Sequence, residues 1–262
     1  MVGQDDPVRT SSGVSVVIPA RNEEQTVGEV VDNVRSLGSV VDEIVVVDDS
    51  SSDATAVVAA AAGARVVAAA SVLPGYGTGP GKGEAMWKGL AATTGEVVVF
   101  LDADLDPFDP GWVEALVRPL LHDPAVTLVK GTYDRDGGGR VTELTARPVL
   151  SLLFPGVAAL LRQPLGGEYA ARRSALEQLP FVRGYGVDLA LVLDVVARWG
   201  LASLAQVDLG SRGHRSRPLA DLAPMAEAVL HVALHRGAGY ADAPAACPPL
   251  AGIRPIPSLR TA

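Results

Sequence analysis

Three short apolar runs, residues 14–18, 44–47 and 97–101, each stop abruptly on polar side chains, and helical periodicity fills the chain between the first two. Few folds accept that alternation. Val27, Val30, Val31, Val34 and Leu37 recur at the spacing of one helix face, with Gly38 as its stop. After the second run, Asp48-Asp49 and residues 50–53 lead into an alanine-rich helix that Gly63 closes, and residues 65–67 read as a third strand. Strand, helix, strand, helix, strand in that order implies parallel strands joined by right-handed crossovers, with helices on both faces of the sheet.

The pattern continues with a Gly/Pro-rich loop at 74–81, a helix at 84–92 and the strand that ends on Asp102-Ala103-Asp104. Asp109-Pro110 predicts a capped helix with proline at its first position. Residues 126–129 resume the sheet, 134–139 form a mobile glycine-rich loop, and 141–161 are mainly helical with proline breaks. A short strand at 169–171, a helix at 187–199, a strand at 204–209 and an amphipathic helix at 219–235 complete the fold. Residues 1–13 are expected to be a flexible N-terminus, and 241–262 a disordered Pro/Ala-rich tail. With 262 residues and 48% hydrophobic content, a single α/β domain with a sizeable core is expected.

Bulk properties exclude several functions. A net charge of −8 argues against nucleic acid as a partner, because such affinity comes mainly from basic groups neutralising phosphates. The lone Cys247 excludes an internal disulfide and a cysteine-rich zinc site, and fits a reducing cytoplasm. The most apolar stretch, 149–161, is about half the roughly 20 residues a membrane-spanning helix needs. Pro155-Gly156 interrupts it, so it reads as core or the wall of an apolar pocket, and no transmembrane segment is expected.

Polar clusters fall at the ends of predicted strands: residues 20–23, 48–50, 102–104 and 212–214. In a parallel sheet those ends share one edge, where α/β proteins bind ligands, so segments distant in sequence line one crevice. A carboxylate pair there can hold a hard divalent cation against substrate phosphates. Each cluster alone has a plainer reading: Asp48 or Asp49 as a helix cap, and Asp102 with Asp104 as a solvated turn.

In order along the chain, Pro19-Ala20-Arg21-Asn22-Glu23-Glu24, Val47-Asp48-Asp49-Ser50-Ser51-Ser52-Asp53 and Asp102-Ala103-Asp104 resemble the nucleotide-sugar glycosyltransferases of the GT-A fold. Further segments, Gly81-Lys82-Gly83-Glu84, Gly139-Arg140-Val141-Thr142, Gln163-Pro164-Leu165-Gly166-Gly167-Glu168-Tyr169, Gly184-Tyr185-Gly186-Val187-Asp188 and His214-Arg215-Ser216-Arg217, are similar to the glucosyl-3-phosphoglycerate synthases of actinobacteria. That resemblance covers roughly residues 14–236. It implies a GT-A, Rossmann-like and mostly parallel sheet, with a nucleotide-sugar-binding half at 14–132 and an acceptor-binding half at 133–240 of the same domain.

The resemblance also implies roles. Ala20, Glu23, Asp49 and Ser50 would hold the uracil and ribose of a UDP-sugar, with Lys82 near the nucleotide. Asp104 and His214 would bind Mg2+ or Mn2+ with the diphosphate, while Asp102 and Ala103 would meet the ribose or sugar. Gly166, Gly167, Tyr185, Asp188 and Arg212 would border the donor. Asp102, Asp104 and Asp188 would be the catalytic acids. Gly139, Arg140, Thr142 and Ser216 would cradle a small phosphorylated acceptor. Ser216 stands where the family has asparagine, and Asp188 where it has glutamate. His214 has a plainer reading as a structural hydrogen-bonder, residues 139–142 as a solvated loop, and Glu168 and Asp188 as buried acids paired with Arg172 or Arg183. Trp87, Trp112 and Trp199 are expected in the core. A cytoplasmic enzyme that transfers hexose with retention of configuration, as a homodimer, is what the resemblance implies.

Rival readings are a polyprenyl phosphate as the acceptor, met by the apolar 149–161 segment; a nucleotidyltransferase; and a sugar-nucleotide sensor without turnover. A nucleotidyltransferase is expected to carry a glycine-rich basic loop after its first strand, where this chain has Pro19 to Glu24. A sensor needs no metal site.

Overall fold

The computed structural model describes residues 13–76, 81–135, 139–212 and 218–253. Its sheet is seven-stranded in the order β3-β2-β1-β4-β6-β5-β8. The strands are β1 (Val14–Ala20), β2 (Glu43–Asp48), β3 (Arg65–Ala68), β4 (Val97–Phe100), β5 (Leu128–Arg135), β6 (Tyr169–Arg172) and β8 (Leu204–Arg212). β1 pairs in parallel with β2 and β4, and β5 with β8, while β6 lies antiparallel between β4 and β5. The carboxyl ends of β1, β2, β4, β5 and β8 therefore face one way, as a mostly parallel α/β sheet requires.

Strand residues alternate between two cores. Val14, Val16, Ile18, Val46, Val97 and Val99 pack on one face with α1 (Val27–Arg35), α2 (Thr55–Ala61) and α4 (Gly111–His122). Val17, Val45, Val47, Val98 and Phe100 pack on the other with α3 (Lys82–Ala92), the short α7 (Arg173–Leu176), α8 (Val187–Trp199) and α9 (Leu219–Gly237). Both faces are covered, so the strands read as continuous apolar runs. Each fully buried valine contributes about 1.5–3 kcal/mol.

α3 lies close against its neighbours. A side chain at Gly83 would overlap the Val182 carbonyl, so glycine there lets the first turn of α3, and with it Lys82, approach β7 (Phe181–Val182). Trp87 and Trp112 are buried as expected, and Trp199 is partly so. The 140–153 stretch is helical, with a π-turn over Thr142–Ala146 ahead of α5 (Arg147–Leu153), and α6 (Pro155–Leu160) follows. Val149, Leu150, Val157 and Leu161 are buried within it, and Leu152 is exposed. No helix among the described residues is long and apolar enough to cross a membrane.

Two expectations need correction. α4 starts at Gly111, one residue later than predicted, because the Asp109 side chain accepts from the Gly111 amide (2.8 Å) and its carbonyl from the Trp112 amide (3.0 Å). The expected disordered tail is packed as far as residue 253. β9 (Ala246–Cys247) pairs antiparallel with β7, Cys247 is fully buried, and the Trp87 indole donates to the Pro248 carbonyl at 2.8 Å. Backbone pairing and one apolar anchor hold this strap, and neither produces periodicity. Residues 1–12 and 254–262 lie outside the described residues.

Candidate active site

Adjacent parallel strands β1 and β2 end level with each other, Ala20 opposite Asp48. Their following loops are laced together. The Asp49 amide donates to the Ala20 carbonyl (2.9 Å), the Glu23 amide to the Thr55 hydroxyl (2.8 Å), the Ser52 amide to Asn22 Oδ1 (2.8 Å) and the Ala54 amide to Glu24 Oε2 (2.9 Å). Ser50 and Asn22 are held at positive φ, 62° and 58°. Non-glycine residues adopt that conformation at a cost, and such strain gathers at functional sites. Ala20 and Asp49 are buried beneath the exposed Ser50, and the Gly81 amide ahead of α3 donates to Asp49 Oδ2 at 2.9 Å. Asp49 therefore ties β2 to α3 and does not cap α2, whose N-cap residue is Ala54.

α3 starts at Lys82, which reaches the end of β4 next door. Its ammonium sits 2.8 Å from Asp102 Oδ1 and 3.1 Å from Asp188 Oδ2. Burial works against this charge, yet the Asp102 and Asp188 carboxylates hold the lysine pKa well above its ordinary value. Asp188, in the first turn of α8, is 6% exposed, its carboxylate acts on the Tyr169 phenol, and its Oδ1 lacks a hydrogen bond of good geometry among the described residues. Buried polar atoms are normally satisfied, so this oxygen has capacity to accept another hydrogen bond. Gly166 and Gly167 close the site from the opposite side, and a Cβ on Gly167 would overlap the Asp102 carboxylate. Ala103 is buried, Asp104 is half-buried on the same edge, and Tyr185 is exposed at its rim.

Below this layer lie Lys130 and Tyr133, which the sequence did not single out, beside Glu168 and Tyr169. Lys130, fully buried in β5, donates to the Gly166 carbonyl and sits 4.2 Å from the centre of the Tyr169 ring. Burial lowers its pKa to about 8. The Tyr133 hydroxyl donates to Glu168 Oε2 at 2.9 Å. Burial, then the Asp188 and Asp102 carboxylates, raise the Tyr169 phenol well above its usual pKa. A lysine directly after the strand expected at 126–129 was the signal available. Glu168 and Asp188 are buried acids, but the pairing expected for them differs. Asp188 meets Lys82, Arg172 gives its donors to the carbonyls of Leu120, Asp123 and Val126, and Arg183 Nε lies 3.4 Å from Glu84 Oε2.

In the segment expected to take the acceptor, Gly139 stands at φ 82° and its carbonyl accepts from the Glu143 amide (2.8 Å) at the start of the helical stretch that carries Arg140 and Thr142. The π-turn begins at Thr142, a geometry frequent at functional sites. His214 and Ser216 lie outside the described residues, as does the side chain of Arg212, whose backbone ends β8 opposite Arg135. Among the described residues no three metal-ligating side chains gather. A magnesium-type ion takes only one or two carboxylates when substrate phosphates supply the rest, so Asp104 at this edge suits such an ion. Two surface grooves, one by Arg172, Trp199 and Ser203 and the other by Arg35, Glu43 and Arg65, lie at the amino ends of the strands and hold none of the predicted residues.

The sequence profile of glycosyl transferase family 2 matches residues 15–184, from β1 to the segment just before α8. This chain belongs to glycosyl transferase family 2. Within that family it is 49% identical to a glucosyl-3-phosphoglycerate synthase of Mycolicibacterium smegmatis, over 85% of this chain and 77% of the relative. It is 41% identical to one from Petrotoga mobilis, over 85% and 73%. A crystal structure of the Mycobacterium tuberculosis glucosyl-3-phosphoglycerate synthase with Mn2+, UDP-glucose and phosphoglyceric acid superposes with a TM-score of 0.88 at 44% identity, covering 93% of this chain and 92% of that one. The same enzyme with Mg2+ and UDP gives 0.88 as well. Family membership accounts for the crevice at the carboxyl edge, and the chain is a hexosyltransferase with a GT-A fold.

Proposed function

We propose that this chain transfers glucose from UDP-glucose to 3-phosphoglycerate, releasing UDP, with Mg2+ or Mn2+ as cofactor. The observation that carries the reading is the Asp102–Lys82–Asp188 cluster closed by Gly167 at the carboxyl edge of the sheet, in a chain 49% identical to a glucosyl-3-phosphoglycerate synthase. Ala20, Glu23, Asp49 and Ser50 line the uridine end, where the laced loops offer carboxylates for nitrogen and hydroxyl donors. Lys82 is the cation nearest the diphosphate. Asp102 and Asp188 Oδ1 accept from sugar hydroxyls, and the rigid Gly166-Gly167 turn keeps that pocket narrow.

Asp104, with His214, would hold the divalent ion, which neutralises charge developing on the departing diphosphate. Preorganised charge of this kind is the largest aid available to a reaction whose leaving group is an anion. Gly139, Arg140, Thr142 and Ser216 take the acceptor's phosphate, and its hydroxyl enters on the face the diphosphate leaves, with retention of configuration. The reaction belongs in the cytoplasm, in keeping with one cysteine, buried in the folded chain.

The test is to mix the protein with UDP-glucose, 3-phosphoglycerate and Mg2+ and follow UDP. Release that requires all three components is expected, and EDTA should abolish it without altering the circular dichroism spectrum. UDP release that proceeds without 3-phosphoglycerate, or in EDTA, refutes the proposal.

A further inference from the structure

We propose that Lys130 is a positioning residue of the transfer site: from beneath the sheet edge it fixes the Gly166-Gly167 turn, and through that turn the Asp102 carboxylate. This deepens the functional reading above and rests on it.

Lys130 lies in β5, in register with Tyr169 of β6 and Gln206 of β8, at a depth where its neighbours Leu128 and Val129 are fully buried. An ammonium brought so far inside is costly unless its protons find acceptors. Here the Gly166 carbonyl takes one, and the Tyr169 ring, 4.2 Å away, offers its negative face. Gly167 follows directly. Because the Asp102 carboxylate occupies the space a side chain at Gly167 would need, a shift of the turn moves Asp102. Asp102 in turn holds Lys82 at 2.8 Å, and Lys82 holds Asp188 at 3.1 Å. The contacts run unbroken from a buried strand to the carboxylates that face the donor sugar.

The charged groups around Lys130 come from every side: Asp188 of α8, Lys82 of α3, Glu168 ahead of β6 and Asp102 after β4. Burial outweighs the attraction of the acids and lowers the lysine to about 8. The ammonium donates more strongly than a neutral amine, and only the ammonium is drawn to the ring. Its hold on the turn therefore weakens as the pH passes that value.

The experiment uses the full chain with UDP-glucose, 3-phosphoglycerate and Mg2+, comparing wild type with Lys130→Met in steady-state kinetics and in calorimetric titration with UDP-glucose. The expected result is a variant with a native circular dichroism spectrum whose kcat falls roughly 10- to 100-fold. Its KM and Kd for UDP-glucose should rise several-fold while the 3-phosphoglycerate KM stays within about twofold. A kcat and donor KM both within about twofold of wild type overturn the proposal, as does an equal loss for donor and acceptor. Should the variant not fold, the wild type decides: the donor KM should rise about threefold or more between roughly pH 7 and pH 9, with the acceptor KM unmoved, and a flat donor KM overturns the proposal. If wild type releases no UDP at all, the functional reading fails instead, and the UDP-glucose titration of the variant, or of wild type at the two pH values, still decides the role of Lys130.

Discussion

Lys130→Met should make the protein more stable at neutral pH and less stable in strong alkali. An ordinary lysine loses its proton at 10.5, and burial lowers Lys130 to about 8, a difference of roughly 3 kcal/mol against the charged form in the folded state. Methionine removes that cost with a side chain of similar length. It also leaves the Gly166 carbonyl without its donor, a loss of about 1–2 kcal/mol. The net expectation at pH 7 is a gain of about 1 kcal/mol, in line with other buried charges that apolar residues replace without harm. Between about pH 8 and 10.5 the unfolded wild-type chain binds a proton that the folded one has released, so wild-type stability rises with pH across that window. The variant lacks this slope from position 130, and the two curves should cross inside the window. Urea unfolding followed by circular dichroism at pH 7, 8.5 and 10, at constant ionic strength, measures it. Parallel curves, or a variant about 1 kcal/mol or more less stable at pH 7, would refute the electrostatic account. Greater stability with lower activity is the usual exchange at a site built for function.

Gly167→Ala should place a methyl against the Asp102 carboxylate and lower stability by about 1–3 kcal/mol, with donor KM raised more than acceptor KM; thermal melts and kinetics on the purified variant check it. Glu43→Gln should destabilise by about 1–2 kcal/mol at pH 7, away from the site. Burial alone would raise the Glu43 carboxyl, but hydrogen bonds from Ser15, the Thr94 amide, Arg65 and the Thr94 hydroxyl hold it below its ordinary 4.5. Its contribution is therefore present above 4.5 and lost as the pH falls through the lower folded value, so wild-type and variant melting temperatures should converge in acid.

The mostly parallel α/β alternation was legible because it follows from period and punctuation. Residues 187–199 appear as a helix over that same span, since Asp188 opens and Gly200 stops a run with apolar residues on every side. The antiparallel course of β6 was not legible: Tyr169, Ala170 and Ala171 carry no mark of direction, which is set by the long excursion through α5 and α6. The tail strap was missed for a related reason. Two residues of β9 are too few to show alternation, and what holds them is backbone pairing with β7 and the Trp87 indole. At the site, Asp102 and Asp104 were conspicuous because an apolar strand ends on them. Lys82 and Asp188 were visible singly, but they meet across 106 positions of sequence, and no spacing rule reaches that far.

Lys130 was obscured by the strand around it, yet charge explains why it is there. Asp102 and Glu168 lie against the Gly166-Gly167 turn, Asp188 acts on Lys130 with them, and Lys82 is the second cation among the described residues that do so. Among the described residues, two ammonium groups stand against three carboxylates, with the half-buried Asp104 beside them. A nucleotide diphosphate approaching such a surface meets repulsion, strongest where burial excludes water. The two lysines are also committed: Lys82 spans two carboxylates, and Lys130 is turned into the protein toward Gly166. A donor with an anionic leaving group gains from additional positive charge here, and a divalent ion held by Asp104, as proposed above, would supply it. The acids and lysines among the described residues thus agree with the metal dependence that kinship shows. An acidic protein can host phosphate chemistry because the balance that matters is struck within a few ångströms of the bond being broken.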